Sequence, residues 1–214
     1  MTIKDLETRI GSLSKPSKMP CHGYSLPAQA CSRGALLRQI DGSVCSDCYA
    51  LKNRYLFKNV QTALYKRLDA VLQDPNEWSV LITELIDKKE KSGYFRWHDS
   101  GDIQNLEHLS ALNKVALNLP HIKFWLPTRE TSLLKSWVDL TGNTFADNLN
   151  IRVSASMVNQ KPANPTHKNL TTTTSSVGYE QASFHCPALS QGNQCGTCRA
   201  CWSKQVPIVN YKLH

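Results

Sequence analysis

The chain has 214 residues, and 25 Lys and Arg against 17 Asp and Glu leave a formal charge of +8. That length supplies one sizeable core, and 41% hydrophobic with 20% charged residues excludes a disordered or coiled-coil chain. No apolar stretch reaches the roughly 18–20 residues that span a bilayer, and Met1-Thr-Ile-Lys-Asp-Leu-Glu lacks the apolar core of a signal peptide, so a cytoplasmic protein without membrane contact is expected.

One domain over 1–214 is expected, with cysteine-rich ends. The first end, 15–50, holds Cys21, Cys31, Cys45 and Cys48. Helical periodicity follows. Val60, Leu64, Leu68, Val71 and Leu72 share one helix face, and Trp78, Leu81, Ile82, Leu85 and Ile86 share another. Asp74-Pro75-Asn76-Glu77 starts the second helix, with Asp as N-cap, Pro in the first turn and Glu three residues on. Leu109, Leu112, Ala116 and Leu119 mark a third helix, and Leu133, Leu134, Trp137 and Val138 a fourth.

The extended runs Tyr94–His98, Ile122–Leu126 and Leu149–Val153 alternate with these helices and read as strands of βα units. The class is α/β. A closed eight-unit barrel takes about 250 residues, so a partial βα barrel or a small, mainly parallel sheet is expected. Residues 157–182, with Pro162, Pro165 and the run Thr171–Ser176, carry neither period and read as a long loop. The second cysteine-rich end, 184–204, holds Cys186, Cys195, Cys198 and Cys201.

In a reducing cytosol, closely spaced cysteines are metal or cluster ligands rather than disulfides. Cys195-x2-Cys198-x2-Cys201 is the ferredoxin spacing, with Cys186-Pro187 as the remote fourth ligand. Cys21, Cys31, Cys45 and Cys48 make a second four-cysteine set, for which the adjacent His22 is an alternative ligand. Two [4Fe-4S] clusters are expected, with zinc as the alternative metal. A single site joining Cys45 and Cys48 to Cys198 and Cys201 stays open. Trp202 is expected to shield the C-terminal site, and Trp97, Trp125 and Trp137 to be core.

The C-terminal edges of parallel strands carry the chemistry of α/β folds. Here those edges read His98-Asp-Ser-Gly-Asp102, Pro127-Thr-Arg-Glu130 and Ser154-Ala-Ser156. Asp99, Ser100, Asp102, Arg129 and Glu130 make a candidate ligand pocket, Arg129 being suited to a carboxylate or phosphate. Asp102 has the alternative of a plain helix N-cap.

The strings Leu26-Pro-Ala, Cys45-Ser-Asp-Cys-Tyr-Ala50, Phe95-Arg-Trp-His-Asp-Ser-Gly-Asp102, Phe124-Trp-Leu-Pro-Thr-Arg-Glu130 and Cys186-Pro-Ala188 resemble the phage gene product 88 family over about residues 15–204. The resemblance implies phage or prophage origin, hence the host cytoplasm, and iron–sulfur binding. A more distant similarity, through Cys45-x2-Cys48-Tyr49, is to radical S-adenosylmethionine enzymes. It implies a partial barrel, and S-adenosylmethionine as a possible cofactor beside Ser100, Gly101 and Asp102. The first gap departs from that signature, since Cys31 precedes Cys45 by fourteen positions.

Three functions follow. The first is an iron–sulfur protein, redox or ligand-binding, with a radical enzyme as its sharper form and an unnamed small-molecule or redox partner. The second is a zinc-stabilised nucleic-acid-binding protein. It draws on the +8 charge, on Arg54, Lys58, Lys66 and Arg67, and on Tyr49, Tyr55 and Phe57 for stacking. The third is a small electron carrier, against which the α/β core with a polar edge speaks.

Overall fold

The computed structural model describes residues 1–142, 145–165, 167 and 170–213. Seven strands form one sheet: β1 (Gly23–Tyr24), β2 (Tyr94–Trp97), β3 (Lys123–Thr128), β4 (Leu149–Ser154), β5 (Thr173–Val177), β6 (Phe184–His185) and β7 (Ile208–Tyr211). Their order is β1-β2-β3-β4-β5-β7-β6, and every neighbouring pair is parallel. The α/β class is as the sequence predicts, and the edge strands β1 and β6 are not neighbours.

Among the described residues six α-helices accompany the sheet: α1 (Ile3–Ile10), α2 (Ser32–Leu37), α3 (Lys58–Gln73), α4 (Pro75–Lys89), α5 (Leu106–Asn118) and α6 (Thr131–Thr141). The four helices read from periodicity are α3 to α6. Asp74 caps α4, its carboxylate accepting from the amides of Asn76 and Glu77 at 2.9 Å each. Leu64, Leu68 and Val71 are buried as expected, whereas Leu72 at the end of α3 is exposed. Arg67 leaves the expected basic face. It is buried and donates through Nε to Ser12 O at 2.9 Å, while its Cγ would meet any Cβ added at Gly11.

Strands β1 to β5 succeed one another in space as in sequence, so the right-handed crossovers put the helices on one face. That face carries Phe95, Trp97, Phe124, Leu126, Leu149, Ile151 and Val153, packed with residues from α1, α3, α4, α5 and α6 in the main core. Trp97 stacks on Phe124 at 5.9 Å between ring centres and meets Trp78 of α4 at 5.8 Å.

The other face presents Arg96, Trp125, Asn150, Arg152 and Ser175. No α-helix among the described residues covers it. The segment around 200–206 lies there instead, and β4 holds it by its carbonyls. Asn150 Nδ2 donates to Cys201 O at 2.8 Å. The guanidinium of Arg152, wholly buried, donates to the carbonyls of Ala200, Ser203 and Val206 at 3.1–3.2 Å and to Thr174 O at 2.6 Å. Trp202 Nε1 donates to Phe95 O at 2.8 Å, and its ring packs with Met19, Cys21 and Trp125 in a second small core.

The structure corrects the expected loop over 157–182. Within it, of which 166, 168 and 169 lie outside the described residues, Thr173–Val177 is strand β5, paired on both sides. The apolar alternation that marks a strand is missing because both faces of β5 are polar. Thr173 Oγ1 donates to Asn150 Oδ1 at 3.0 Å, and Ser176 Oγ to Asn210 Oδ1 at 2.9 Å. Neighbouring strands, rather than an apolar layer, satisfy this segment.

Replacing Arg152 with Leu strips the donor from two buried carbonyls, Thr174 and Ala200, and two half-buried ones, Ser203 and Val206; a buried carbonyl left unpaired costs about 1–3 kcal/mol. The variant should lose about 3 kcal/mol or more in urea unfolding. Arg152→Lys, a point donor without the planar fork, should recover only a minority of that loss.

Candidate functional site

A cavity of about 660 Å³ opens at the C-terminal ends of β2 to β5, and six of the eight cysteines line it. All eight are free thiols.

Three of them hang from three strand ends. Two residues beyond β3, the Glu130 carboxylate accepts from Arg33 N at 2.8 Å, which seats the start of α2 and with it Cys31, its N-cap residue. Two residues beyond β4, Ser156 O accepts from Val44 N at 2.9 Å, and Ser43 bridges Met157, placing Cys45. Two residues beyond β2, Asp99 O accepts from the Tyr49 hydroxyl, placing Cys48. The turn after Cys31 has a glycine where the thiols need room. A Cβ on Gly34 would stand 2.9 Å from Cys31 Cβ and 3.7 and 3.8 Å from the sulfurs of Cys31 and Cys45. Burial pushes the Cys31 thiol up to about 12, with Asp102 and the neighbouring Cys48 and Cys45 adding to it and Arg129 opposing it. Burial raises Cys45 as well, again against Arg129.

Cys21 is not with this group. It is buried in the second small core, where Cys195 and Cys201 pack, and burial pushes its thiol up to about 12. The groups around 21, 186, 195, 198 and 201 therefore form a five-thiol neighbourhood. Cys195 N donates to Lys18 O at 2.9 Å and its sulfur is 4.0 Å from Met19 Sδ. Cys186 N pairs with Asn210 O at 2.9 Å, and Cys201 Sγ lies 3.2 Å from the Tyr211 hydroxyl. Cations surround these thiols: Lys18 beside Cys195, Arg96 and Arg152 beside Cys201, and Arg199 beside Cys21. His22, the alternative ligand for the first set, is engaged elsewhere, with Nδ1 2.9 Å from Glu90 Oε2. Among the described residues no three ligating side chains converge as a metal site.

The polar edge is brought together as the sequence suggests, but most of it is internally engaged. Asp99 pairs with Arg96 at 2.9 Å and accepts from the Tyr55 hydroxyl. Ser100 Oγ donates to Leu26 O at 2.8 Å, and Gly101 (φ +80°) is bare because a Cβ would stand 2.6 Å from Leu26 Cβ. That glycine answers to packing. Asp102 is not the N-cap of α5, which is Asn105. Its buried carboxylate accepts from Thr128 Oγ1 (2.6 Å), Ile103 N (2.8 Å) and Arg129 N (2.9 Å), tying the β2 and β3 ends together. Burial raises it to about 6, against those hydrogen bonds. Arg129 donates Nε to Ala155 O at 3.2 Å.

Two residues escaped the sequence reading. Arg96 lies 4.4 Å from the Trp125 ring centre and beside Cys21, Cys195 and Cys201. An Arg amid the apolar and aromatic run 94–97 was the available signal for a sheet face not packed against the main apolar core. His98, just beyond β2, is buried in left-handed backbone (φ 50°), and neither ring nitrogen has a partner among the described residues. Burial, with His108 5.5 Å away, holds it well below the usual imidazole range. Such strain in a non-glycine residue collects at functional sites.

Fold and site together define an α/β protein with a cysteine-flanked cavity at its strand ends. The family profile described as Gene product 88 matches residues 3–204, and the chain belongs to that family. No curated protein and no solved structure matches the chain, and none of these comparisons supports the similarity to radical S-adenosylmethionine enzymes. No helix among the described residues is long and apolar enough to cross a membrane.

Asp102 gives a pH signature. Unfolded, it ionises near 3.8; folded, it holds its proton to about 6. Its contribution to stability is thus full below pH 3.8 and is lost as pH rises through 6, by about 3 kcal/mol at about 1.4 kcal/mol per pKa unit. Urea midpoints of the native chain and Asp102→Asn, compared from pH 3.5 to 7, should diverge over that window and run parallel above it.

Proposed function

We propose that the chain is an iron–sulfur protein carrying two [4Fe-4S] clusters, one held by Cys31, Cys45 and Cys48, the other by four of the five thiols at 21, 186, 195, 198 and 201. The observation that carries this reading is the gathering of six cysteines, distant in sequence, on one cavity at the strand ends. Thiol sets of this spacing suit iron–sulfur clusters. The residues fit such a group: the Gly34 gap leaves space between Cys31 and Cys45, and Arg96, Arg152, Arg199 and Lys18 suit the net negative charge of a thiolate-bound cluster. Bound clusters would supply one-electron redox chemistry. Closing either set asks for side-chain rotation and thiol deprotonation, both of which metal binding drives.

The protein's own residues do the positioning. Glu130, Ser156 and Asp99 each hold one cysteine-bearing loop on one strand end. Trp202 and Trp125 exclude water from the second group. The role is redox or ligand-binding in the host cytoplasm. The singly wound sheet fits a partial barrel, and S-adenosylmethionine is one candidate ligand of the three-cysteine set, beside Asp102 and Arg129.

The second reading, zinc-stabilised nucleic-acid binding, draws on Lys52, Arg54, Lys58 and Lys66, which are exposed beside the exposed rings of Tyr49 and Phe57. Metal analysis separates the two. Anaerobically purified protein should be brown, with about eight irons and matching sulfide per chain. A colourless protein with about two zinc ions and salt-sensitive retention on DNA would favour the second reading.

Gly34→Ala, which thrusts a methyl against Cys31, should lose about half of the iron while its circular dichroism stays native. A variant with Cys195, Cys198 and Cys201 all replaced by Ala, which leaves two thiols of the second group, should lose the complementary half. Loss of all iron from either variant would mean a single shared site.

A further inference from the structure

We infer that the cavity binds a small amphiphilic anion, a carboxylate or phosphate head on an apolar body, with the guanidinium of Arg129 as the receptor of the head. The inference rests on the cavity being the functional site, and not on which metal the thiols hold.

The charge balance of the cavity points there first. Its charged lining comprises Lys18, Arg38, Lys52, Arg96, Arg129 and Lys212 against only Asp47, Asp99 and Asp102. Each acid is engaged. Asp47 pairs with Lys52, and Asp99 with Arg96. Asp102 is enclosed by three donors, Thr128 Oγ1, Ile103 N and the Arg129 backbone N–H. The remaining cations therefore face the cavity without a carboxylate partner among the described residues.

Arg129 is singled out by how it is held. Its backbone N–H donates to Asp102, which anchors the residue, and its Nε donates to Ala155 O at 3.2 Å, which holds the guanidinium to the strand end after β4. Its two terminal nitrogens have no acceptor among the described residues. A fixed fork with free terminal donors is the arrangement that grips carboxylate or phosphate in a bidentate way. Carboxylates from the polar edge cannot substitute for a ligand, because Asp102, Asp99 and Glu130 are each bound elsewhere.

The body of the ligand follows from the remaining walls. Val44, Leu51, Val158, Val177 and the Trp125 ring line the cavity, and its volume of about 660 Å³ is that of sites for small organic molecules. An inorganic ion would leave these walls wet. Such a ligand would lie beside Cys31 and Cys45, since Arg129 opposes the raised thiol values of both.

The test is calorimetric titration of the full chain, anaerobically purified, at constant ionic strength. The probes are benzoate, phenyl phosphate, acetate, inorganic phosphate and benzyl alcohol. Benzoate or phenyl phosphate should bind saturably and at least tenfold more tightly than acetate or inorganic phosphate, and benzyl alcohol should not bind. The tighter of the two aromatic anions assigns the head as carboxylate or phosphate. Arg129→Gln should weaken that binding at least tenfold. If this variant does not fold, Arg129→Lys, which keeps the charge and loses the fork, should still weaken it. Failure of both aromatic anions to bind the native chain overturns the inference, as does undiminished affinity in a folded Arg129 variant or equal binding of benzyl alcohol. Metal content measured on the same sample reports on the cluster reading separately: binding without iron overturns only that reading, and iron without binding overturns only this inference.

Discussion

Arg152 is a full charge buried on a sheet face that no α-helix among the described residues covers, and its partners are carbonyls rather than a carboxylate. A parallel sheet wound in one direction places its helices on one side only, so the other side must be closed by whatever chain remains. Here that chain is the segment around 200–206, a single 3₁₀ turn followed by extended and turn residues. Its own turns leave several carbonyls unpaired, and a buried carbonyl without a donor is costly. One planar guanidinium with several divergent N–H groups, assisted by Asn150, meets several of these carbonyls at once. The position of the C-terminal cysteines, of Trp202 and of one side of the cavity all depend on this contact.

The N-terminal thiols are located on a different principle. Each cysteine-bearing loop is tied to a residue two positions beyond the end of a strand, where the backbone leaves the sheet and has free groups to offer. Three adjacent strands thus act as three fixed posts. The polar strings at these ends that read as a ligand pocket are largely the ties themselves: Glu130 seats α2, Asp99 receives Tyr49 and Tyr55, and Asp102 locks β2 to β3. What is left over is Arg129, whose terminal nitrogens the scaffold does not use.

Electrostatics links the two thiol neighbourhoods. Burial raises the thiols of Cys21, Cys31, Cys45, Cys195 and Cys201, which keeps them protonated in the protein by itself. Arg96, stacked on Trp125, works against that effect at Cys21, Cys195 and Cys201, and Arg129 works against it at Cys31 and Cys45. Guanidiniums placed beside buried thiols favour their charged forms, the state in which cysteine binds metal.

The helices α3 to α6 and the strands β2 to β4 were legible in the sequence because their apolar residues recur with the period of the element, and one face of each meets the same core. The two cysteine-rich ends were legible from spacing. The strand β5 was not, since Thr173 to Ser176 satisfy neighbouring strands on both faces and leave no apolar alternation to read. Arg67 looked like part of a basic surface because helix periodicity says which residues share a face, not what a long side chain reaches. The grouping of Cys21 with Cys195 and Cys201, instead of with Cys31, Cys45 and Cys48, was beyond spacing altogether. The sequence by itself determined which segments are helix and strand, and that eight thiols would be close in two stretches of chain. Only the tertiary structure decided which thiols are neighbours and which polar groups stay free, because the pairing of β1 with β2 carries Cys21 to the sheet face where the C-terminal segment lies, while the strand ends carry the other three to the cavity.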